Sequence, residues 1–378
     1  MYCADCESVD DYFFDQTCFW IFVPTAETFG KLIALCGSAG YSAKQETTHC
    51  ISVIVDSNSI SRFLISINGA LESVELEGTK VTTTATPQQP ELKDIGRMTT
   101  FNVLINRHQA KWLIASIENQ RFESWYQPIV HAKTSLETPT HFAHEALFRI
   151  RDESNTIVPP SLAFKLAENS DLLFSMDLIA RRAAVECAAK GKLTGKLFIN
   201  FNPSSIYDPA YCLRATAASI NEIGLQPQDV VFEVTETHKA SDINHLKGIL
   251  AFYRSVGFQV ALDDIGSGWS GLNLLQVLRP DYVKIDMELV RGLHNDTYKQ
   301  NIVSSLIRIA RKNGIEVIAE GVEEEAEAKW LIAAKVDYLQ GYLFGKPAPL
   351  TQNVNDQQKL NIESSLHPLA EAAKNKGS

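Results

Sequence analysis

The sequence predicts a modified TIM (β/α)8 barrel with an antiparallel first strand, preceded by a small α/β N-terminal module. Three observations carry that prediction. From residue 124 onward, eight short apolar runs recur: Trp125–Val130, Phe142–Phe148, Leu197–Phe201, Val230–Val234, Gln259–Leu262, Tyr282–Ile285, Glu316–Ala319 and Val336–Leu339. Such runs are how strands buried on both faces read. Helical patterns separate most of them: Leu162–Ala189, Tyr211–Ile223, Ile243–Val256, Tyr298–Lys312 and Glu325–Ala334. Eight strand–helix units in about 230 residues match a barrel of this type. The third observation is a short link. Only about eleven residues, including Ala132–Thr140, separate the first two runs, and a parallel crossover needs about a dozen or more. The first pair therefore reads as an antiparallel hairpin.

Ahead of the barrel, residues 1–98 read as a separate module, with a regulatory role expected from architecture alone. Phe19–Val23 and Ile51–Val55 read as strands, and Ala26–Ala39 and Ile60–Ile67 as helices. Ser73–Thr83 alternates like a third strand. Thr82–Pro90 has linker composition. Residues 99–120 carry Phe101, Leu104, Ile105, Trp112, Leu113 and Ile117 at helical spacing and read as a connecting helix. The barrel is expected over 121–352 and a polar C-terminal tail over 353–378.

Composition excludes several functions. The net charge of −10 argues against a broad duplex nucleic-acid surface, which would be basic. No apolar run approaches the ~20 residues of a membrane span. No basic segment precedes an apolar stretch, so a secretory leader is not expected and a cytoplasmic setting is. Cys3-Ala4-Asp5-Cys6, with Cys18, His49 and Cys50 further on, suggests metal or redox chemistry only superficially. The second ligand pair is adjacent rather than spaced, and the first does not open a helix after a strand. Unligated thiols are expected.

The chemistry gathers where strands reach the C-terminal mouth of such a barrel. Glu145 and Arg149 lie on the second run, Asn200 and Asn202 on the third, Glu233 and Glu236 on the fourth. Asp263 and Asp264 follow on the fifth, Lys284 and Asp286 on the sixth, Glu320 and Glu323 on the seventh, and Gln340 on the eighth. One strand ending in a carboxylate is unremarkable; repetition around one rim is not explained by solvation. So many carboxylates in one mouth cannot all stay ionised without cations. With no Cys or His among them, the donor set is all oxygen and suits Mg²⁺ or Mn²⁺, as in two-metal phosphoryl chemistry. Individual residues have plainer readings. Arg149 could be a structural ion-pair partner, Gly266 and Gly268 a tight turn, and Glu323 a residue favoured by a helix N-terminus.

Taken in order, the motifs resemble those of the EAL-domain cyclic di-GMP phosphodiesterases. Glu145-Ala146-Leu147-Phe148-Arg149 resembles the name-giving motif. Gln127-Pro128-Ile129 resembles the first-strand motif, and Ile199-Asn200-Phe201-Asn202-Pro203 the asparagine strand. Glu233-Val234-Thr235-Glu236, Asp263-Asp264-Ile265-Gly266-Ser267-Gly268, Lys284-Ile285-Asp286, Ala319-Glu320-Gly321-Val322-Glu323 and Gln340-Gly341-Tyr342 complete the set over residues 121–350. The resemblance implies hydrolysis of cyclic di-GMP to linear pGpG with two Mg²⁺ or Mn²⁺ ions. It implies Glu145, Asn200, Glu233, Asp263, Asp264 and Glu320 as metal ligands, with Asn200 preferred to Asn202. Lys284 would act on the attacking water, Gln340 would orient the nucleophile or a metal-bound water, Glu236 would anchor the glycine-rich loop, and Glu323 is counted with these three as a catalytic candidate. Arg149 would hold a phosphate beside Gln127, Pro128 and Leu147. A homodimer through the barrel is also implied. The family phenylalanine after the paired aspartates is Ile265 here, and the Tyr-Ser-Ser after the loop is Trp269-Ser270-Gly271. The alternative is a non-catalytic cyclic di-GMP receptor or protein-interaction module on the same scaffold.

Overall fold

The computed structural model describes residues 12–85, 89–133, 136–206, 220, 225–235, 243–266 and 271–350. Two compact units divide them. One holds the chain up to Phe122 together with Ile150–Met176; the other holds Glu123–Arg149 and the chain from Asp177 onward.

The first unit opens with β1 (Gln16–Phe22), α1 (Ala26–Ala39), β2 (Ala43–Thr47) and β3 (Cys50–Asp56). It continues with α2 (Ile60–Ala70), α3 (Ser73–Gly78), β4 (Lys80–Thr84), α4 (Leu92–Ile95), β5 (Thr99–Thr100), α5 (Phe101–Gln109) and α6 (Lys111–Glu118). The strands form an antiparallel sheet in the order β2-β3-β1-β4-β5. Alternation on β1 and β3 turns Phe19, Ile21, Ile51 and Val53 to one face, where Leu32, Phe63, Ile67 and Leu104 of the helices cover them. The Thr25 hydroxyl accepts the Thr28 N–H at the start of α1, and Gly40 ends that helix at φ +78°.

Several local expectations change here. Ser73–Thr83 is a helix and then a strand. The Glu72 and Glu75 side chains close a reciprocal capping box that satisfies the first amides of α3. The apparent alternation misled because Val74 is exposed while Leu76 is buried. The segment expected as linker begins with Thr82–Thr84, which are buried in β4. The polar edge strand β2 has no alternating pattern to read. Residues 99–120 hold two helices because the backbone leaves the helical region at Ala110 (φ −85°, ψ 7°). Cys18 and Cys50 are buried free thiols, pushed by burial up to about 11, while His49 is exposed. Cys3, Cys6 and the 353–378 tail lie outside the described residues.

The chain then enters β6 (Phe122–His131) and β7 (His141–Arg151). β8 (Ile157–Val158) pairs back on the end of β7, and α7 (Pro160–Asn169) follows. The helix expected over Leu162–Ala189 breaks between α7 and α8 (Leu173–Lys190), where Asp171 takes φ +58°. Arg107 donates from Nε to the Ser170 carbonyl at that break. Next come β9 (Lys196–Asn200), β10 (Val230–Thr235), α9 (Ile243–Val256), β11 (Gln259–Ile265), α10 (Gly271–Leu278), β12 (Tyr282–Ile285), α11 (Met287–Val290), α12 (Thr297–Lys312), β13 (Glu316–Ala319), α13 (Glu325–Ala333) and β14 (Tyr338–Gln340). The expected helix Tyr211–Ile223 falls almost wholly outside the described residues.

The barrel runs β6-β14-β13-β12-β11-β10-β9-β7 and closes through β6–β7. From β7 to β14 neighbouring strands are parallel, whereas β6 pairs antiparallel with β14. The first strand is therefore inverted, as its short link to the second requires. No described helix is long and apolar enough to cross a membrane.

Candidate active site

Each of the eight barrel strands gives one residue to a buried apolar cluster: Ile129, Ala143, Phe198, Val231, Ala261, Tyr282, Ile318 and Tyr338. Side chains on a strand return to the same face every second residue. Two positions further toward the mouth therefore lie Glu145, Asn200, Glu233, Asp263, Lys284, Glu320 and Gln340. On inverted β6 the corresponding residue is two positions earlier, Gln127. An apolar floor thus supports a polar ring with one member from every strand.

Lys284 sits at the centre of that ring and is fully buried. Its Nζ lies 3.2 Å from Glu145, 2.8 Å from Glu233, 3.3 Å from Asp263 and 2.6 Å from Glu320. Gln340 donates from Nε2 to Glu145 Oε2 at 2.6 Å and to Gln127 Oε1 at 3.2 Å. Asn200 donates from Nδ2 to Glu145 Oε1 at 3.0 Å and to Glu233 Oε2 at 3.1 Å. The Asn202 side chain instead caps the following turn by accepting the Ser204 N–H. Geometry thus separates two asparagines that strand parity alone leaves equivalent.

The paired aspartates occupy a bulge. Leu262 pairs with Val283 and Ile265 with Ile285, so Asp263 and Asp264 together face the single residue Lys284. Asp264 takes φ +57° and Gly266 φ +107°. A Cβ on Gly266 would lie 2.3 Å from Leu289, and one on Gly321 (φ +63°) 2.2 Å from Met287. The turns carrying Asp264 and Glu320 therefore both hug α11, and only glycine permits that approach. The result is two overlapping carboxylate groups, Glu145–Glu233–Asp263 and Asp263–Asp264–Glu320, with ligand atoms within 4.8 Å of one another.

Electrostatics show what this crowding demands. Burial disfavours the Lys284 ammonium, but the surrounding carboxylates outweigh it and hold its pKa well above the ordinary value. Burial also opposes ionisation of Glu145, yet Lys284, Gln340 and Asn200 keep its carboxyl below the ordinary value. One ammonium does not serve the rest. Burial and neighbouring acids push Glu233 and Glu320 well above the usual range, and burial raises Asp263. Burial and Asp263 raise Asp264 to about 7. Either protons or added cations must balance the site. The donors are oxygen throughout, and turning the Asn200 amide over would present its carbonyl to the same space. These residues fit a hard divalent cation.

A pH dependence follows with a definite sign. The raised pKa of Asp264 stabilises the metal-free fold at low pH, and that contribution is lost as pH rises through about 7; Glu233, Asp263 and Glu320 act in the same direction. Cation binding displaces the same protons. Between pH 6 and 8, Mn²⁺ affinity should rise by about tenfold per unit for each proton released, and the melting-temperature gain from Mn²⁺ should grow. A gain that shrinks with pH in a calorimetric scan would contradict this.

The remaining candidates lie around the ring. Leu147 and Arg149 follow Glu145 at two-residue steps along β7, on its face. The half-buried Arg149 guanidinium stacks on Trp125 at 5.1 Å. Pro128 is buried, and a Cβ on Gly345 would lie 2.8 Å from it. Glu323 is half exposed and pairs with Arg291, away from the ring carboxylates. Its backbone N–H is received by Glu327, which also closes the capping box of α13. Glu236, Ser267, Gly268 and Trp269 lie outside the described residues; Ile265 is buried. Asp177 and Arg181 on α8 are not among the residues that the sequence singles out, yet they are buried and paired. Their sequence signal is weak: an acid and a base four residues apart, a spacing that Arg182 and Glu186 repeat on the same helix.

Fold and ring together define a barrel protein with an acidic, all-oxygen site at its C-terminal mouth. The EAL domain model matches residues 110–347, and the chain belongs to the EAL domain family. The chain is 30% identical over 242 residues to cyclic di-GMP phosphodiesterase PdeL of Escherichia coli K12, covering 62% of this chain and 64% of that protein. It covers 39% of a second relative, cyclic di-GMP phosphodiesterase PdeF of the same organism, at 26% identity over 83% of this chain. The chain thus spans less than two thirds of these relatives. A c-di-GMP-bound standalone EAL protein from Vibrio cholerae O395 is 39% identical, with TM-score 0.54, covering 61% of this chain and 93% of that one.

Proposed function

We propose that this chain is a metal-dependent phosphodiesterase that hydrolyses cyclic di-GMP to linear pGpG. The observation that carries the reading is the complete polar ring around Lys284. Five carboxylates against one ammonium leave four negative charges when all are ionised, and two divalent cations would neutralise them. Mg²⁺ or Mn²⁺ held by Glu145, Asn200, Glu233, Asp263, Asp264 and Glu320 would activate water and offset charge on the phosphate. The cyclic di-GMP named for the relatives supplies the substrate assignment.

The chain's own residues would do the rest. Water adds to phosphorus, the P–O3′ bond breaks, and a proton ends on the 3′ oxygen. Lys284 is held protonated by its neighbours, so it acts by donating: its N–H groups orient the water and offset charge. Gln340 fixes Glu145 and, through it, the ring. Arg149 is the phosphate clamp at the rim, beside Gln127, Pro128 and Leu147. Glu236 would anchor the glycine-rich loop, and Glu323, through its pair with Arg291, would steady the turn that follows Glu320. The module at 1–98 is assigned a regulatory task, 99–120 the connection, 121–352 the barrel and 353–378 a tail. A cytoplasmic homodimer joined through the barrel completes the reading.

Incubation with cyclic di-GMP and Mg²⁺ or Mn²⁺ should give pGpG, and chelation should stop it. Binding without turnover in folded protein across pH 7–9 would select the receptor alternative instead.

A further inference from the structure

Arg181 is the largest fully buried side chain of the described structure, and Asp177, one helical turn earlier, is 3% exposed. Arg181 Nε donates to Asp177 Oδ2 at 3.0 Å. The other carboxylate oxygen, Oδ1, accepts the backbone N–H of Asn202 at 2.9 Å. Packing does not explain this pair, because apolar residues of similar volume are often as stable or more so than a buried ion pair.

Its location suggests a task. The β9–β10 ladder ends at Asn200, paired with Glu233. The next amide, Phe201 N–H, still reaches the Glu233 carbonyl at 3.2 Å. The following amide, that of Asn202, goes to Asp177. The backbone is thereby held on both sides of Phe201, immediately after the residue that must aim at Glu145 and Glu233. A misplacement of about 1 Å at such a residue is costly. Groups that orient a ligand from behind typically change metal affinity about 10–100-fold when removed.

We propose that Asp177 and Arg181 are positioning residues that hold the Asn200 amide on the cation site. This rests on the metal reading above, but its test does not require turnover. Mn²⁺ binding to the full chain is measured by equilibrium dialysis, with melting temperature as the control for folding. Asp177→Leu with Arg181→Met removes the acceptor and both charges together; it should lose about tenfold or more in Mn²⁺ affinity. Asp177→Asn with Arg181→Gln keeps a carbonyl for the Asn202 N–H and should stay within about threefold of wild type. Adding Asn200→Ala to the Leu/Met pair should cost little more, because the two changes act on one contact.

Wild-type affinity in the Leu/Met pair, or losses that multiply when Asn200→Ala is added, would overturn the proposal. Asp177→Glu keeps the charge but shifts the carboxylate by one methylene. It serves if the Leu/Met pair does not fold: several-fold weaker binding supports the proposal, and unchanged binding refutes it. Wild-type Mn²⁺ binding without hydrolysis would sink the phosphodiesterase reading alone. A wild-type chain that binds no Mn²⁺ would sink both.

Discussion

Glu145→Ala is expected to abolish hydrolysis of cyclic di-GMP, with kcat falling about 10³-fold or more. Glu145 meets Lys284, Gln340 and Asn200 at once. Truncation removes a proposed cation ligand and leaves three donors without their common acceptor. Losing several kcal/mol of transition-state stabilisation corresponds to about that factor, at 1.36 kcal/mol per tenfold. Single-turnover kinetics on folded protein check it, with Glu145→Gln as the shape-preserving control. Retained turnover in the alanine variant would count against the metal assignment.

Lys284→Met has the second large effect, and it separates two roles. Turnover should fall about 10²-fold or more, because the attacking water would lose the donor proposed for it. The metal-free protein should also lose stability, since removing one partner from a buried charge cluster typically costs about 3–5 kcal/mol. Here the carboxylates can take up protons instead, so the loss should be small near pH 6 and large near pH 8. Mn²⁺ should restore much of the melting temperature, because it replaces the missing positive charge, but should not restore turnover. Equal melting temperatures for variant and wild type in chelator at pH 8 would show that Lys284 does not hold the ring together.

The barrel and its ring were legible in the sequence for one physical reason. Strands buried on both faces must be apolar, so a carboxylate, amide or lysine two positions beyond the apolar floor stands out on each strand. The inverted first strand was legible because chain length alone forbids a crossover there. Other features left no such mark. The bulge at Asp263–Asp264 depends on a pairing offset with β12, which no single strand reveals. Ser73–Thr83 carried an alternation that the Glu72–Glu75 capping box overrode. The breaks at Ala110 and Asp171 sit inside runs of helical periodicity, without a proline or glycine at either residue. Glu323 shared the motif spacing of Glu320, yet its side chain pairs with Arg291, because the turn after Gly321 leads into the capping box of α13. Asp177 and Arg181 are not legible in sequence because the partner of Asp177, the Asn202 amide, is distant along the chain and carries no side-chain signature.

The most direct measurement is the number of Mn²⁺ ions bound per folded chain at pH 8, counted by equilibrium dialysis with electron paramagnetic resonance detection. Two ions are expected, with binding lost when Glu233→Gln and Asp263→Asn are combined. A folded wild-type chain that binds none at millimolar Mn²⁺, or one whose binding survives that double substitution, would contradict a cation site built on the polar ring.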